Sequence, residues 1–170
     1  DDLLHVFEDT KNAGNLDYVC CWYKKAVEIM QKNRRISTAL VSTNSIAQGE
    51  QVAILWKPFF DKGIHIHFAY RTFKWSNEAK GKAAVHCVIV GFGMQKQTDN
   101  FIVNNDTRHK AENINGYLID ASNICIESRK KPLCAVPEIG IGNKPIDGGY
   151  YLFTEAEKNE FVKGSVTTNG

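Results

Sequence analysis

No stretch of this chain approaches the roughly 18 consecutive apolar residues that a membrane-spanning helix needs. The first residues, DDLLHVF, are acidic where a secretory leader is basic. The reading is therefore a protein without membrane contact. CxxC pairs are also missing, and the five cysteines, Cys20, Cys21, Cys87, Cys125 and Cys134, are an odd number. Disulfide frameworks and zinc ribbons need regular pairs, so free thiols in a reducing cytoplasm are expected. Cys20, Cys21 and Cys87 lie within apolar runs, as small buried hydrophobes do. No glycine-rich strand-to-helix turn is present to cradle a cofactor. GFG at 91–93 closes a strand pattern without opening a helix, and GIGNKP lacks the third glycine of a dinucleotide fingerprint. A strong charge of one sign is lacking too. The net charge of +2 does not by itself argue for nucleic acid, and the clusters at 74–82 and 129–131 are of the kind that usually forms solvated faces.

What is present is ordinary soluble composition, 43% hydrophobic and 24% charged, over 170 residues. That length suffices for one domain with a core, or one domain and the start of another. LDYVCCWYKKAVEIMQKN predicts a helix, with Val19, Tyr23, Ala26, Val27 and Met30 recurring at spacings of three and four. Asp17 and Lys32 suit its dipole. Ile36–Val41 reads as a buried strand ending in the polar STNS. A second helix, GEQVAILWKPFF, begins at Ser45 or Gln48 and is ended or kinked by Pro58. IHIHFAY and AAVHCVIVGFG read as two further strands, giving an α/β order. From about Gln95 the texture turns polar: QTDNFIVNNDTRHKAEN reads as linker or loop. The glycine- and proline-rich stretch to Phe153 reads as loops with short strands. TEAEKNEFVKG predicts a short helix opened by a capping box of Thr154 and Glu157.

Few groups carry chemistry. STNS follows the carboxyl end of a strand, where ligands gather in open α/β sheets. Equally, its residues favour a strand-end turn and helix cap. His65 and His67 alternate on one strand and His86 lies on its expected partner, but no carboxylate accompanies them to complete a metal site. Asp120, Glu127, Glu138 and Asp147 lack the lysine spacing of a metal nuclease, and GNK at 142–144 has no acid two positions before Lys144. The strongest feature is RTFKW. Phe73 and Trp75, at i and i+2 on a strand, share a face with Arg71 and form either an aromatic shelf or a core-facing pair. A shelf that stacks bases contributes about 1–3 kcal/mol per base.

Four long strings, LDYVCCWYKKA, ALVSTNSIAQGEQVAILW, FAYRTFKWSNEAKGKAAVHCVIVGF and YLIDASNICIESRKKPLCAVPEIGIGNKPIDGGYYLF, closely resemble, in order, the MmeI-like adenine-N6 DNA methyltransferases. The resemblance runs from about Asp2 to Phe161. It implies the C-terminal half of a class I, Rossmann-like methyltransferase sheet over residues 1–95. Residues 96–170 would then be a linker and the start of a loop-rich α+β target-recognition domain. The family's glycine motif and its Asn-Pro-Pro-aromatic motif are expected upstream, since the prolines here, Pro58, Pro132, Pro137 and Pro145, are never adjacent. The resemblance therefore implies a full-length parent that transfers methyl groups from S-adenosylmethionine to adenine N6 of double-stranded DNA in a cytoplasmic bacterial restriction–modification system. This chain alone is expected to be inactive, with no catalytic, cofactor-binding or metal-binding residue of its own. An enzyme acting on adenine N6 must flip the base out of the duplex. The resemblance makes Phe73, then Trp75, the wall of that base pocket, with Asn44 lining it. Arg71, Lys74, Lys80 and Lys82 would meet phosphates. Gly116 stands where relatives are expected to have proline, which would loosen the entry to the recognition domain. A non-catalytic nucleic-acid-binding module and a partner-binding structural domain are the competing readings.

Overall fold

The computed structural model describes residues 2–75, 85–129, 131–136 and 152–166, which fall into two compact units, Asp1–Ser128 and Arg129–Gly170. The first unit is α/β. A short helix α1 (Asp2–Val6) leads to α2 (Cys20–Lys32), β1 (Ser37–Thr43), a single 3-10 turn (Asn44–Ala47), α3 (Gln51–Asp61), β2 (His65–Trp75), β3 (Val85–Gly93), β4 (Asn100–Asn104) and β5 (Thr107–Ala111). The five strands form one sheet in the order β1-β3-β2-β4-β5. β3 runs antiparallel to both its neighbours, β1 and β2, the central β2 is parallel to β4, and β4 and β5 are antiparallel.

Helix α2 follows its expected stripe: Tyr23, Val27 and Met30 are fully buried, while Trp22 and Ile29 face outward. Its buried face meets α3 and β3 through three rings. Tyr23 stacks on Phe92 at 5.4 Å, and Trp56 meets both edge-on at 5.7 and 6.0 Å. Each polar atom in this cluster is satisfied, Tyr23 Oη with Ser42 Oγ at 2.9 Å and Trp56 Nε1 donating to the Ile46 carbonyl at 2.9 Å. The interior thus gains aromatic area without leaving a buried donor unpaired. Pro58 neither ends nor interrupts α3, which continues to Asp61. The helix stops at Gly63, whose φ of +82° lets Ile64 N–H reach the Phe59 carbonyl and Gly63 N–H reach that of Phe60. Those paired bonds are a Schellman cap, which needs a residue in the left-handed region.

Three expectations are corrected. β1 is not a buried strand: Ser37, Ala39 and Val41 are exposed and only Ser42 is buried. In the described sheet it pairs with β3 alone, and α2 and α3 cover only the face of β3 that carries Val88, Val90 and Phe92. The stretch 97–113, expected to be linker or loop, instead holds β4 and β5, which extend the sheet past β2. Their joining residues Asn105 and Asp106, with φ of +48° and +60°, make the left-handed two-residue turn that matches strand twist. Gly116 does not loosen the chain: a Cβ there would come within 2.8 Å of Val52 and 3.0 Å of Trp56, so the glycine permits a close approach to α3.

In the second unit the described residues contain one helix, α4 (Glu155–Val166). Its capping box is formed as expected, with Glu157 Oε2 accepting from Thr154 N–H and Oγ1 at 2.7 Å, and Glu157 N–H donating back to Thr154 Oγ1 at 3.3 Å.

Candidate nucleic-acid interface

The exposed aromatic arm arises from irregularities in β2. Opposite β3, this strand carries one extra residue between Ile66 and Phe68 and another between Tyr70 and Phe73. Such bulges bend a strand and re-aim its side chains. Before the second bulge β2 is core: Ile66 and Ala69 are buried, and Phe68 lies across Gly91, where a Cβ would collide with the ring. Beyond it Phe73 pairs with Cys87, Lys74 with His86 and Trp75 with Val85. Phe73 is half-buried, Trp75 is 51% exposed, and their rings sit 6.4 Å apart, tilted by 45°. The aromatic pair therefore forms on a paired strand extension. Lys74 is exposed beside it.

Arg71 does not share that side. The bulge breaks the alternation, and Arg71 instead lines a cleft of about 250 Å³ with Thr72, Val88, Gln48 and Ile119. Val88 faces the helices, whereas Phe73 pairs with Cys87 on the opposite face.

Register also joins the arm to the end of β1. Thr43 pairs with Cys87 and Cys87 with Phe73, so one row crosses β1, β3 and β2, with Asn44 next in the chain. Asn44 is half-buried, and its carboxamide meets no hydrogen-bonding partner among the described residues. The other three members of STNS are structural. Ser42 is bonded to Tyr23, while Thr43 Oγ1 and Ser45 Oγ both donate to Asp17 Oδ2, Thr43 at 3.2 Å. Gln51 completes the cluster: its Nε2 donates to Asp17 Oδ1 at 3.2 Å and its Oε1 accepts the Asp17 N–H at 3.3 Å. The Ser45 bond, against the cost of burial, holds the Asp17 carboxyl below its ordinary range. This clamp fixes the loop before α2 to the end of β1. No local sequence signal marks it, because its partners lie 26 to 34 positions apart.

The remaining candidates fall elsewhere. His67 is buried with Nε2 2.8 Å from the Gln95 carbonyl, and burial lowers the pKa values of both His65 and His67. His86 lies exposed opposite Lys74. No group of three potential metal ligands gathers among the described residues. Burial pushes the Cys20 thiol up to about 12, which leaves no nucleophilic thiolate there at neutral pH. Lys80 and Lys82, with Glu138, Asp147 and the GNK segment, lie outside the described residues.

Comparison with known proteins gives a consistent set of relatives. The family described as the MmeI DNA-methyltransferase domain matches residues 1–104, and the MmeI target recognition domain matches residues 120–169. DNA methyltransferase A of Bacillus subtilis (strain 168) is 44% identical over 163 residues, which are 95% of this chain and 18% of that protein. A solved structure of the type IIL restriction-modification enzyme MmeI in complex with DNA is 47% identical with a TM-score of 0.83, covering 96% of this chain and 23% of that one. The chain thus spans about a fifth of the length of these relatives.

Proposed function

The chain belongs to the MmeI family of DNA methyltransferases, and from that premise we propose that it is the late part of an enzyme that transfers a methyl group from S-adenosylmethionine to adenine N6 in DNA, within a bacterial restriction–modification system. The observation that carries this reading is the row Thr43–Cys87–Phe73, which joins the carboxyl end of β1 and the exposed aromatic arm at one end of the sheet. Ligands of open α/β sheets bind at that end. A flipped adenine needs a ring to stack on and polar groups for its edge. Phe73 serves as the stacking wall, with Trp75 beside it. Asn44 offers a carboxamide not committed to the described fold. Arg71 and Lys74, and Lys80 and Lys82 outside the described residues, meet the backbone of double-stranded DNA and position it without reading sequence.

S-adenosylmethionine is assigned to the full-length parent. Its seat requires a glycine-rich turn, whereas β1 leaves the sheet through STNS, three of whose four side chains are committed to Tyr23 and Asp17. No cofactor-binding, catalytic or metal-binding role is therefore given to this chain, and the protein is placed in the cytoplasm with the DNA it modifies. Along the chain, residues 1–95 are assigned to the methyltransferase and 96–170 to the passage into target recognition, with the β4–β5 hairpin attached to the methyltransferase sheet.

Transfer of labelled methyl groups from S-adenosylmethionine to mixed-sequence DNA tests the reading. The parent is expected to label adenine and the isolated chain to transfer none. Label transferred by the isolated chain would refute its assignment as an incomplete enzyme. No transfer by either would leave a non-catalytic DNA-binding module as the better account.

A further inference from the structure

On the helix-covered side of β2, the cleft beside Arg71 is chemically unlike the aromatic arm on the other side. We propose that it seats one backbone phosphate of bound DNA, with Arg71 as its cation and the loop of residues 115–119 as its far wall. This assignment rests on the DNA-methyltransferase reading above. It adds a specific phosphate seat and a loop beyond β5 to the interface.

Three observations converge on the cleft. The first is charge. Lys24, Lys25, Lys57 and Arg108 each pair with a carboxylate in this unit. Arg71 is exposed and, like Lys74 and Lys110, has no ion-pair partner among the described residues; it differs from them in lining a cleft that holds no carboxylate. A guanidinium presents a rigid fork of donors that suits phosphate oxygens, and two residues with neutral donor groups, Thr72 and Gln48, line the same cleft.

The second is aim. Arg71 and Thr72 occupy the bulge between Tyr70 and Phe73, the irregularity that turns them out of the strand's alternation. The third is a wall that is already built. Asn115 is buried, and its Oδ1 accepts from the Tyr117 N–H at 3.0 Å and the Ile119 N–H at 3.4 Å, while its Nδ2 donates to the Ser122 carbonyl at 3.3 Å. Those bonds hold Leu118, a buried non-glycine residue, at a φ of +57°. Such a conformation persists only where its surroundings over-determine it. A phosphate entering the cleft meets a formed surface and need not order a loose one.

The placement divides labour across β2. Arg71 lies with Val88 on one face and Phe73 with Cys87 on the other. One side of the exposed half-strand meets the backbone while the other meets a base.

The test is equilibrium binding of a mixed-sequence duplex by the full-length protein over a range of salt concentrations, with thermal melts to verify folding. Arg71→Gln is expected to weaken binding several-fold on every sequence and to reduce the slope of log affinity against log salt by about 0.9, the share of one phosphate. Arg71→Lys keeps the slope. Ile119→Glu, which leaves Arg71 in place but sets a carboxylate at the mouth of the cleft, weakens binding as Arg71→Gln does. If the wild type binds DNA and both Arg71→Gln and Ile119→Glu match it in affinity and slope, the cleft is not a phosphate seat and the wider reading survives. If the wild type shows no salt-dependent DNA binding, both fall together.

Discussion

The two halves of β2 lie on one strand and both pair with β3, yet they obey different rules. From His65 to Ala69 the side chains are buried or half-buried, and aromatic residues fit only because a glycine opposite makes room, as Gly91 does for Phe68. From Tyr70 to Trp75 none is buried, although the segment holds three aromatic rings and continues to pair with β3. Hydrogen bonding already separates them in part: β4 pairs with Phe68, Ala69 and Tyr70, and beyond Tyr70 that edge of β2 has no strand partner among the described residues. What lies over each row differs as well: the aromatic cluster of Tyr23, Trp56 and Phe92 backs the first half, and the second half extends past it. Aromatic content alone therefore says little about burial. Clustered, exposed rings beside unpaired cations say more, because leaving them in water contributes nothing to folding.

The contrast can be broken most sharply in the core. Phe92→Ala removes the ring on which Tyr23 stacks and is expected to cost about 3–5 kcal/mol in chemical denaturation. Gly91→Ala should cost roughly 1–3 kcal/mol, because the added methyl group displaces the Phe68 ring, which also stacks on Phe101 at 5.4 Å. A near-neutral result at Gly91 would mean that the first half of β2 is looser than described.

Asp17 tests the clamp at the end of β1 through pH. Its folded pKa is depressed, so the unfolded chain binds more protons in the acid range and stability rises with pH there. The contribution is complete above the ordinary carboxylate range and is lost as pH falls through the folded value. Asp17→Asn should flatten the acid limb of a denaturation series run from neutral pH to about pH 3. An unchanged limb would show that the Ser45, Thr43 and Gln51 bonds do not favour the charged form. The smallest expected effect sharpens the comparison: Trp75→Ala should change stability by no more than about 0.5 kcal/mol, as exposed positions do. A larger loss would make the arm part of the core.

Much of this was legible in the sequence wherever the signal was local. The stripe of α2, the paired runs of β2 and β3, and the Thr154–Glu157 box all sit within a few residues of themselves, and each is found in the structure. The β4–β5 hairpin leaves no such signal, because Thr107, Arg108, His109 and Lys110 are all exposed on an edge strand and show no alternation of apolar and polar residues. An edge strand is shielded by such charges, which also disguise it as loop. The bulge that separates Arg71 from Phe73 was equally hidden, since it depends on how β3 counts against β2. Of the STNS alternative, the strand-end turn is found, as the 3-10 turn Asn44–Ala47, but no side chain caps a helix there: Ser42, Thr43 and Ser45 bond Tyr23 and Asp17 instead.

The most direct measurement of the central claim is the rate of methyl transfer to DNA by the full-length protein carrying Phe73→Ala or Phe73→Tyr. Base stacking is worth about 1–3 kcal/mol. Phe73→Ala should therefore slow transfer by roughly one to two orders of magnitude, with folding intact and with Phe73→Tyr restoring most of the rate. Wild-type rates in Phe73→Ala would contradict the claim that the exposed half of β2 holds the target base.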